Sequence, residues 1–430
     1  MPVEMTVRMR APDDLKPFKH NARTHPPKQI GQIVASMRRF GFTNPILVTE
    51  DGEIIAGHGR LLAAKVIGLE EVPTIVVCGL SAAERAALRL ADNRIALNAS
   101  WDRELLQIEL QTFVIEMPEL IDVTGFEVGE VDVIMSPGEE DPADEEIPAV
   151  PLKPVTRTGD IWLAGPHRIG CGDAKDRPFV RQLVNTVASG AFMDAPFNVK
   201  VNGHAGGKGK IKHREFVEAS GEMTREEFVA FLAATFGSAV EVSAPGAVHF
   251  LCMDHHHLDQ LFEACAPLYD ARLNLCVWKK SNAGMGSLYR SHHELIAVYR
   301  VGGAKHRNNV ELGKHGRNRT NVWEYASVNT FGGSRQADLA LHPTVKSVTM
   351  VADAIKDVTR RGETVLDLFL GSGTTLIAAE RVGRVFAGLD IDPGYVEVAL
   401  GRWTQMTGQQ PRLEATGQTL AEVRAERGEG

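Results

Sequence analysis

The stretch Val365-Leu366-Asp367-Leu368-Phe369-Leu370-Gly371-Ser372-Gly373-Thr374-Thr375 limits what this chain can fold into more than any other. An apolar run enters a glycine-rich turn and leaves it with the helical pattern of residues 376–381, so the segment reads as strand, turn and helix. Gly371 and Gly373 let the backbone reach positive φ and approach a ligand closely. The helix start that follows offers unpaired N–H groups, the place where α/β sheets hold nucleotide-like ligands. At the end of the next strand, Asp390 is placed to accept hydrogen bonds from ribose hydroxyls. The candidate ligand set is therefore Asp367, Phe369, Gly371, Ser372, Gly373, Thr374, Thr375 and Asp390.

A chain of 430 residues is too long for one ordinary core, so two domains are expected. Residues 12–115 show a compact α/β pattern. It comprises a helix at 27–40, a strand at 46–49, a turn at Asp51-Gly52, a strand at 53–56, a helix at 60–67 ended by Gly68, a strand at 74–77, and helices at 82–89 and 103–113. Residues 136–154 combine prolines with a run of acids, the composition of a solvated linker. The expected divisions are 1–135, a linker 136–157, a second domain 158–410, and a tail 411–430. Within the second domain, 160–171 reads as a hairpin turning at 164–167. Strand-like segments at 191–193, 247–252, 274–278, 294–299, 364–369 and 384–389 alternate with helical ones. That alternation predicts an α/β fold, a mostly parallel twisted sheet with helices on both faces.

Hydrophobic residues at 43% and charged residues at 24% are those of a soluble globular protein. The N-terminus shows no apolar signal region, so a cytoplasmic location is expected. Five cysteines without a C-x-x-C pair argue for reduced thiols and against a structural zinc site. His255, His256 and His257 follow one another too closely for all three to face one ion, so no metal is expected. The net charge of -8 does not exclude nucleic acid, because DNA affinity follows local basic patches.

A second motif, Asp194-Ala195-Pro196-Phe197, follows the apolar segment 191–193 and, taken alone, also suits a cap and turn. With its surroundings it becomes specific. Residues 159–403 resemble the DNA amino-methyltransferases whose catalytic motif precedes the cofactor motif, the β group. The matching blocks are Gly159-Asp160 with Cys171-Gly172-Asp173, the turn 194–197, His342-Pro343-Thr344-Val345-Lys346, the glycine turn 367–375, and the segment 388–395. The resemblance implies a Rossmann-like domain that binds S-adenosyl-L-methionine and methylates the exocyclic amino nitrogen of a base flipped out of double-stranded DNA. Asp194 and the Ala195 carbonyl would accept the two amino hydrogens, Pro196 would shape the turn, and Phe197 would stack on the base. An acid at this position is typical of adenine-N6 enzymes, with cytosine N4 the alternative acceptor. The family usually has proline at Ala195, tyrosine at Phe197 and proline at Ser347. Alanine keeps the carbonyl acceptor and loosens the turn, phenylalanine keeps the stacking face, and a weakened DNA-binding adaptor is the competing outcome. A homodimer would also fit the family.

For holding DNA, the glycine-rich basic segment 200–214, with Lys208 and Lys210, suits a closing loop. The stretch 300–319, with Arg300, Arg307, Lys314, Arg317 and Arg319, and Arg290 before it, is the candidate recognition region. Asn308, Asn309, Asn318 and Asn321 add groups able to read base edges. Residues 12–115 resemble the ParB-like N-terminal domain through Asn21-Ala22-Arg23, the segment 41–46, and Gly57-His58-Gly59-Arg60. Those last four residues form a turn able to hold a phosphate of a nucleotide or of DNA, with Arg60 as counter-charge. Family members often carry a second arginine where this chain has Gly59, so binding is expected there rather than hydrolysis.

Overall fold

The computed structural model describes residues 6–19, 21–96, 98–99, 101–117, 120–135, 147–199, 218–280, 289–312, 319–325 and 346–428. Lys208, Lys210, Lys314, Arg317, Asn318 and residues 136–146 of the expected linker lie outside that set. The chain divides into two compact units, Met1–Met135 and Ser136–Gly430. Among the described residues no helix is long and apolar enough to cross a membrane.

The first unit runs β1 (Val7–Arg10), α1 (Pro27–Phe40), β2 (Ile46–Val48), β3 (Ile54–Ala56), α2 (His58–Ile67), β4 (Val72–Val76), α3 (Ala82–Ala96), α4 (Arg103–Glu116), α5 (Ile121–Thr124) and α6 (Val128–Met135). Its sheet has the order β1-β4-β2-β3, with β2 and β4 parallel. Ile46, Val48 and Ile54 pack with Leu61 and Ala64 of α2, so alternate strand positions and one helix stripe close a small core. Helix α2 starts two residues before the predicted 60–67, because Gly57 takes the left-handed φ of 106° and turns the chain into it. Helix α3 continues beyond the predicted end at residue 89, since neither glycine nor proline interrupts residues 90–96.

The second unit runs β5 (Ile161–Ala164), β6 (His167–Cys171), α7 (Arg177–Val184), β7 (Ala188–Met193), α8 (Arg225–Glu241), β8 (Ser243–Met253), α9 (Leu258–Cys265), β9 (Ala271–Lys279), β10 (His293–Arg300), β11 (Val322–Glu324), α10 (Val348–Val358), β12 (Thr364–Asp367), α11 (Thr374–Arg381), β13 (Val385–Asp390), α12 (Pro393–Thr407), β14 (Arg412–Leu413) and α13 (Leu420–Gly428). These strands form one sheet, ordered β11-β9-β10-β8-β7-β12-β13-β6-β5-β14. Its centre, β8-β7-β12-β13-β6, is parallel. Antiparallel pairs, β8 with β10 and β6 with β5, flank that centre. Helices α7, α8 and α9 cover one face and α10, α11 and α12 the other, giving a core on each side of the sheet.

The connection from β7 through α8 leads to β8 on one side, whereas that from β12 through α11 leads to β13 on the other. The carboxyl ends of β7 and β12 therefore flank a topological switch point, where open α/β sheets bind their ligands. The two sequence motifs end these two neighbouring strands.

Two expected divisions are corrected by packing. Residues 411–428 are not a tail: β14 adds an antiparallel edge strand to β5, and in α13 Val423 is 1% exposed while Arg427 bonds Asp160 at 2.5 Å. The end of the expected linker is likewise anchored, for the Val155 and Thr156 N–H groups donate to the buried Glu397 carboxylate at 2.5 and 2.9 Å.

Candidate active site

Three acids close three adjacent parallel strands: Asp194 after β7, Asp367 at the end of β12 and Asp390 at the end of β13. Asp367 is buried and organises the turn. One carboxylate oxygen accepts the Phe369 N–H at 2.9 Å and the other the Thr375 hydroxyl at 2.7 Å. Burial pushes its pKa up to about 7, against those two hydrogen bonds. Asp390 receives the Gly371 and Asp392 N–H groups at 2.8 and 2.9 Å, and burial pushes it up to about 6.

Gly371 and Gly373 have φ of 50° and 87°, the left-handed values the turn requires. At Gly373 space matters too: a Cβ there would lie 2.8 Å from the Ala399 Cβ of α12. Ser372 is held from behind by the buried Arg402, which donates to its carbonyl at 2.8 Å. Thr374 opens α11. The Phe369 ring turns toward the core, 6.2 Å from Phe231 and 6.5 Å from Phe236. Thus Asp367 and Thr375 hold the turn from within, Ser372 and Thr374 are each 8% exposed, and Gly371 and Asp390 are half-buried.

Asp194 sits in a charged cluster. Lys346 bonds one of its oxygens, Oδ2, at 2.6 Å and Glu294 at 2.6 Å. Lys280 bonds the other Glu294 oxygen at 2.8 Å. Lys346 and Glu294 are nearly sealed, with side chains 5% and 7% exposed. Burial pushes Asp194 up to about 6 even beside the ammonium, with Glu294 adding to the rise. Burial alone would raise Glu294 as well, yet Lys346 and Lys280 together carry it below the usual carboxylate range. Burial opposes the charge of Lys346, but its two carboxylates hold it well above the ordinary lysine value. The remaining Asp194 oxygen, Oδ1, is buried and lacks a hydrogen-bond partner among the described residues. Ala195 is 1% exposed in the core beneath the sheet. Pro196 follows, and the Phe197 ring lies 5.8 Å from the Lys346 ammonium. Asn198, at a φ of 54°, ends the motif by accepting the Gly221 and Met223 N–H groups at 3.0 and 3.2 Å.

Asp194, Cys252 and Glu294 bring ligand atoms within 4.8 Å of one another. The ammonium of Lys346 already bonds both carboxylates, and burial keeps the Cys252 thiol neutral, so the cation of this cluster is Lys346. In sequence, Lys346 ends the block 342–346 and carries no signal of its own for the site. Glu294, Lys280 and Arg402 had no local signal. Ser347, where proline is usual, has a φ of -66° that proline shares, and its hydroxyl caps α10 by accepting from the Met350 N–H.

The basic residues expected to face DNA divide. Arg319 is an internal cation, bonded to Asp357 at 2.8 Å, Asp353 at 3.3 Å and the Tyr325 hydroxyl at 2.5 Å. Asn309 is 7% exposed and donates to the Lys356 and Thr359 carbonyls, both at 2.7 Å, so it closes the end of α10 rather than reading bases. Arg300 pairs with Asp270, and Arg307 with Glu363 at 3.2 Å. Arg290 and Lys305 are exposed.

In the first unit a cleft of about 180 Å³ is lined by Asn21, Arg23, His25, Gly57, His58, Gly59 and Arg60. His58 accepts the Phe18 N–H at 3.2 Å, and burial, aided by nearby His25 and Arg89, lowers its pKa and keeps it neutral. Arg60, expected as a counter-charge, donates to the Asn44 and Pro45 carbonyls, both at 2.6 Å. A Cβ at Gly59 would meet the His25 ring and the Ile33 methyl at 3.1 Å, which fits glycine there.

A glycine turn beside an acid at the switch point of a parallel sheet is the arrangement of α/β domains that bind nucleotide-like cofactors. Comparison with known proteins is more particular. The profile of the family described as DNA methylase matches residues 189–401, and that of the ParB N-terminal domain matches residues 3–94. The chain belongs to the N6/N4 DNA methylase family and carries a ParB N-terminal domain ahead of the methylase. The ParB-like nuclease domain-containing protein YnaK of Escherichia coli (strain K12) is 47% identical over 81 residues, 19% of this chain and 93% of that protein. The type II methyltransferase M2.DpnII of Streptococcus pneumoniae is 26% identical over 239 residues, 53% of this chain and 83% of that one. Of the type II methyltransferase M.ScaI of Streptomyces caespitosus, 31% identical, the chain spans 31% of the length. Among solved structures, the M1.HpyAVI–SAM complex aligns with a TM-score of 0.40 at 18% identity, covering 54% of this chain and 97% of that one.

Proposed function

We propose that the protein is a site-specific DNA methyltransferase that uses S-adenosyl-L-methionine and methylates adenine N6 of a base flipped from double-stranded DNA. The observation that carries this reading is the buried Oδ1 of Asp194, without a hydrogen-bond partner among the described residues and standing at the switch point beside the strand that feeds the glycine turn. A lone buried acceptor costs about 1–3 kcal/mol until a donor reaches it. An exocyclic amine is such a donor.

The chain fits the cofactor at its turn: Gly371 leaves the backbone bare, with nothing nearer than 3.9 Å to a Cβ there, and Asp390 offers a half-buried carboxylate next to the α11 N-terminus. Bound there, S-adenosyl-L-methionine would supply an electrophilic methyl group on a positively charged sulfur. Asp194 and the Ala195 carbonyl accept the two amino hydrogens, which turns the nitrogen lone pair out of conjugation with the ring. Phe197 stacks on the flipped base. The acid at position 194 favours adenine. We also propose that the first unit binds a phosphate-bearing ligand, a nucleotide or the DNA backbone, in the cleft beside Arg23 and His58.

Expression in a methylation-deficient bacterium, followed by sequencing of native DNA, tests the main reading. N6-methyladenine at a defined motif, lost in Asp194→Ala, is expected. N4-methylcytosine would reassign the base, and no modified base above background would overturn the function.

A further inference from the structure

We infer that Lys346, clamped between Asp194 and Glu294, is a positioning residue that binds one carboxylate oxygen of Asp194 and so presents the other, Oδ1, to the amino group of the substrate base. The inference rests on the methyltransferase reading.

Three observations carry it. A carboxylate can turn either edge toward a donor, and among the described residues one Asp194 oxygen is tied: Oδ2, at 2.6 Å from the Lys346 Nζ. The ammonium is itself bonded to Glu294 at 2.6 Å, and Glu294 in turn to Lys280 at 2.8 Å. Two carboxylates and two ammoniums make the cluster neutral, which is how buried charges are kept without leaving one uncompensated. The Lys346 ammonium also lies 5.8 Å from the Phe197 ring and 5.9 Å from the Trp278 ring, so it braces both the acid and the stacking face of the motif.

Among the described residues, the charged and titratable groups facing Asp194 are Cys252 of β8, Lys280 after β9, Glu294 of β10, Lys346 before α10, and Asp367 of β12. Lys346 and Lys280 favour the ionised acid, while Glu294 and Asp367 oppose it, and Cys252 is neutral. The acceptor must be ionised to take the amino hydrogen without offering a proton of its own. Methyl transfer therefore falls on the acid side as Asp194 protonates, and the neighbours set where that limb lies.

The test is single-turnover methylation of unmethylated genomic DNA from pH 5 to pH 9, with the full chain and its Lys346→Met and Glu294→Gln variants. Lys346→Met removes the attracting charge and should move the acid limb up by about 1–3 pH units. Glu294→Gln removes the opposing charge and should move it down. The dissociation constant for S-adenosyl-L-methionine should stay near that of the parent in both. Limbs that stay in place, or move in the same direction, overturn the inference, since a merely structural role gives no pair of opposite shifts. If circular dichroism shows Lys346→Met unfolded, Glu294→Gln decides alone: a downward shift supports the inference and any other result overturns it. An inactive parent overturns the functional reading and this inference with it, whereas an active parent with an unmoved limb overturns this inference alone.

Discussion

Replacing Gly373 by alanine adds one methyl group at the narrowest point of the cofactor turn, and two separate costs follow. The residue has a φ of 87°, which an L side chain adopts at about 1–2 kcal/mol. Its Cβ would stand 2.8 Å from the Cβ and 3.1 Å from the Cα of Ala399, inside contact distance, so α11 and α12 must part at about 1–3 kcal/mol. Together the loss is about 2–5 kcal/mol. Gly371→Ala is the internal control. It has a φ of 50°, but its nearest neighbour is the Phe369 carbonyl at 3.9 Å, so only the backbone cost of about 1–2 kcal/mol remains. Calorimetric unfolding of the full chain, following the transition of the second unit, measures both. Adding Ala399→Gly to Gly373→Ala should recover part of the loss, a coupling that Gly371→Ala does not share. Equal losses for the two single variants, with no coupling to position 399, would refute the claim that helix packing, rather than backbone freedom alone, dictates glycine at 373.

Asp367 and Asp390 are weaker acids folded than unfolded, so the native protein binds their protons more tightly; stability should rise as pH falls from about 7 toward about 4, and be lost as pH rises through that window. Melting temperature against pH should show this slope, and Asp367→Asn should flatten it. Arg402→Met leaves the Ser372 carbonyl without its buried donor and should cost the second unit about 1.5–3 kcal/mol in urea unfolding, with weaker S-adenosyl-L-methionine binding by titration calorimetry. In the first unit, Arg60→Ala should lower stability by about 1.5–3 kcal/mol through its two carbonyl bonds. Arg23→Ala should weaken nucleotide binding by titration calorimetry, with a stability loss of about 0.5–1.5 kcal/mol from its 2.8 Å bond to the Asn93 side chain.

Much of the fold was legible because its signals are local. The strand into Gly371, the two-residue hairpin loop at Gly165-Pro166, the glycine that ends α2 and the helical stripe of α1 are each decided by a few neighbouring residues. The family blocks likewise placed Asp194 and the glycine turn. Charge was where sequence reading failed. Arg319 and Asn309 looked like groups for DNA because basic and amide side chains usually face water, yet Asp353, Asp357 and the end of α10 take them inward. Residues 411–430 looked like a tail because a two-residue edge strand has no pattern to read. The sequence by itself pointed to most of the elements and to the order of the motifs. Only the tertiary structure decided that Asp194 meets Lys346, 152 residues away, and that Glu294 stands behind it. Periodicity and turn chemistry act over one turn or one hairpin, whereas the partner of a buried charge is chosen by which strand ends the sheet brings together.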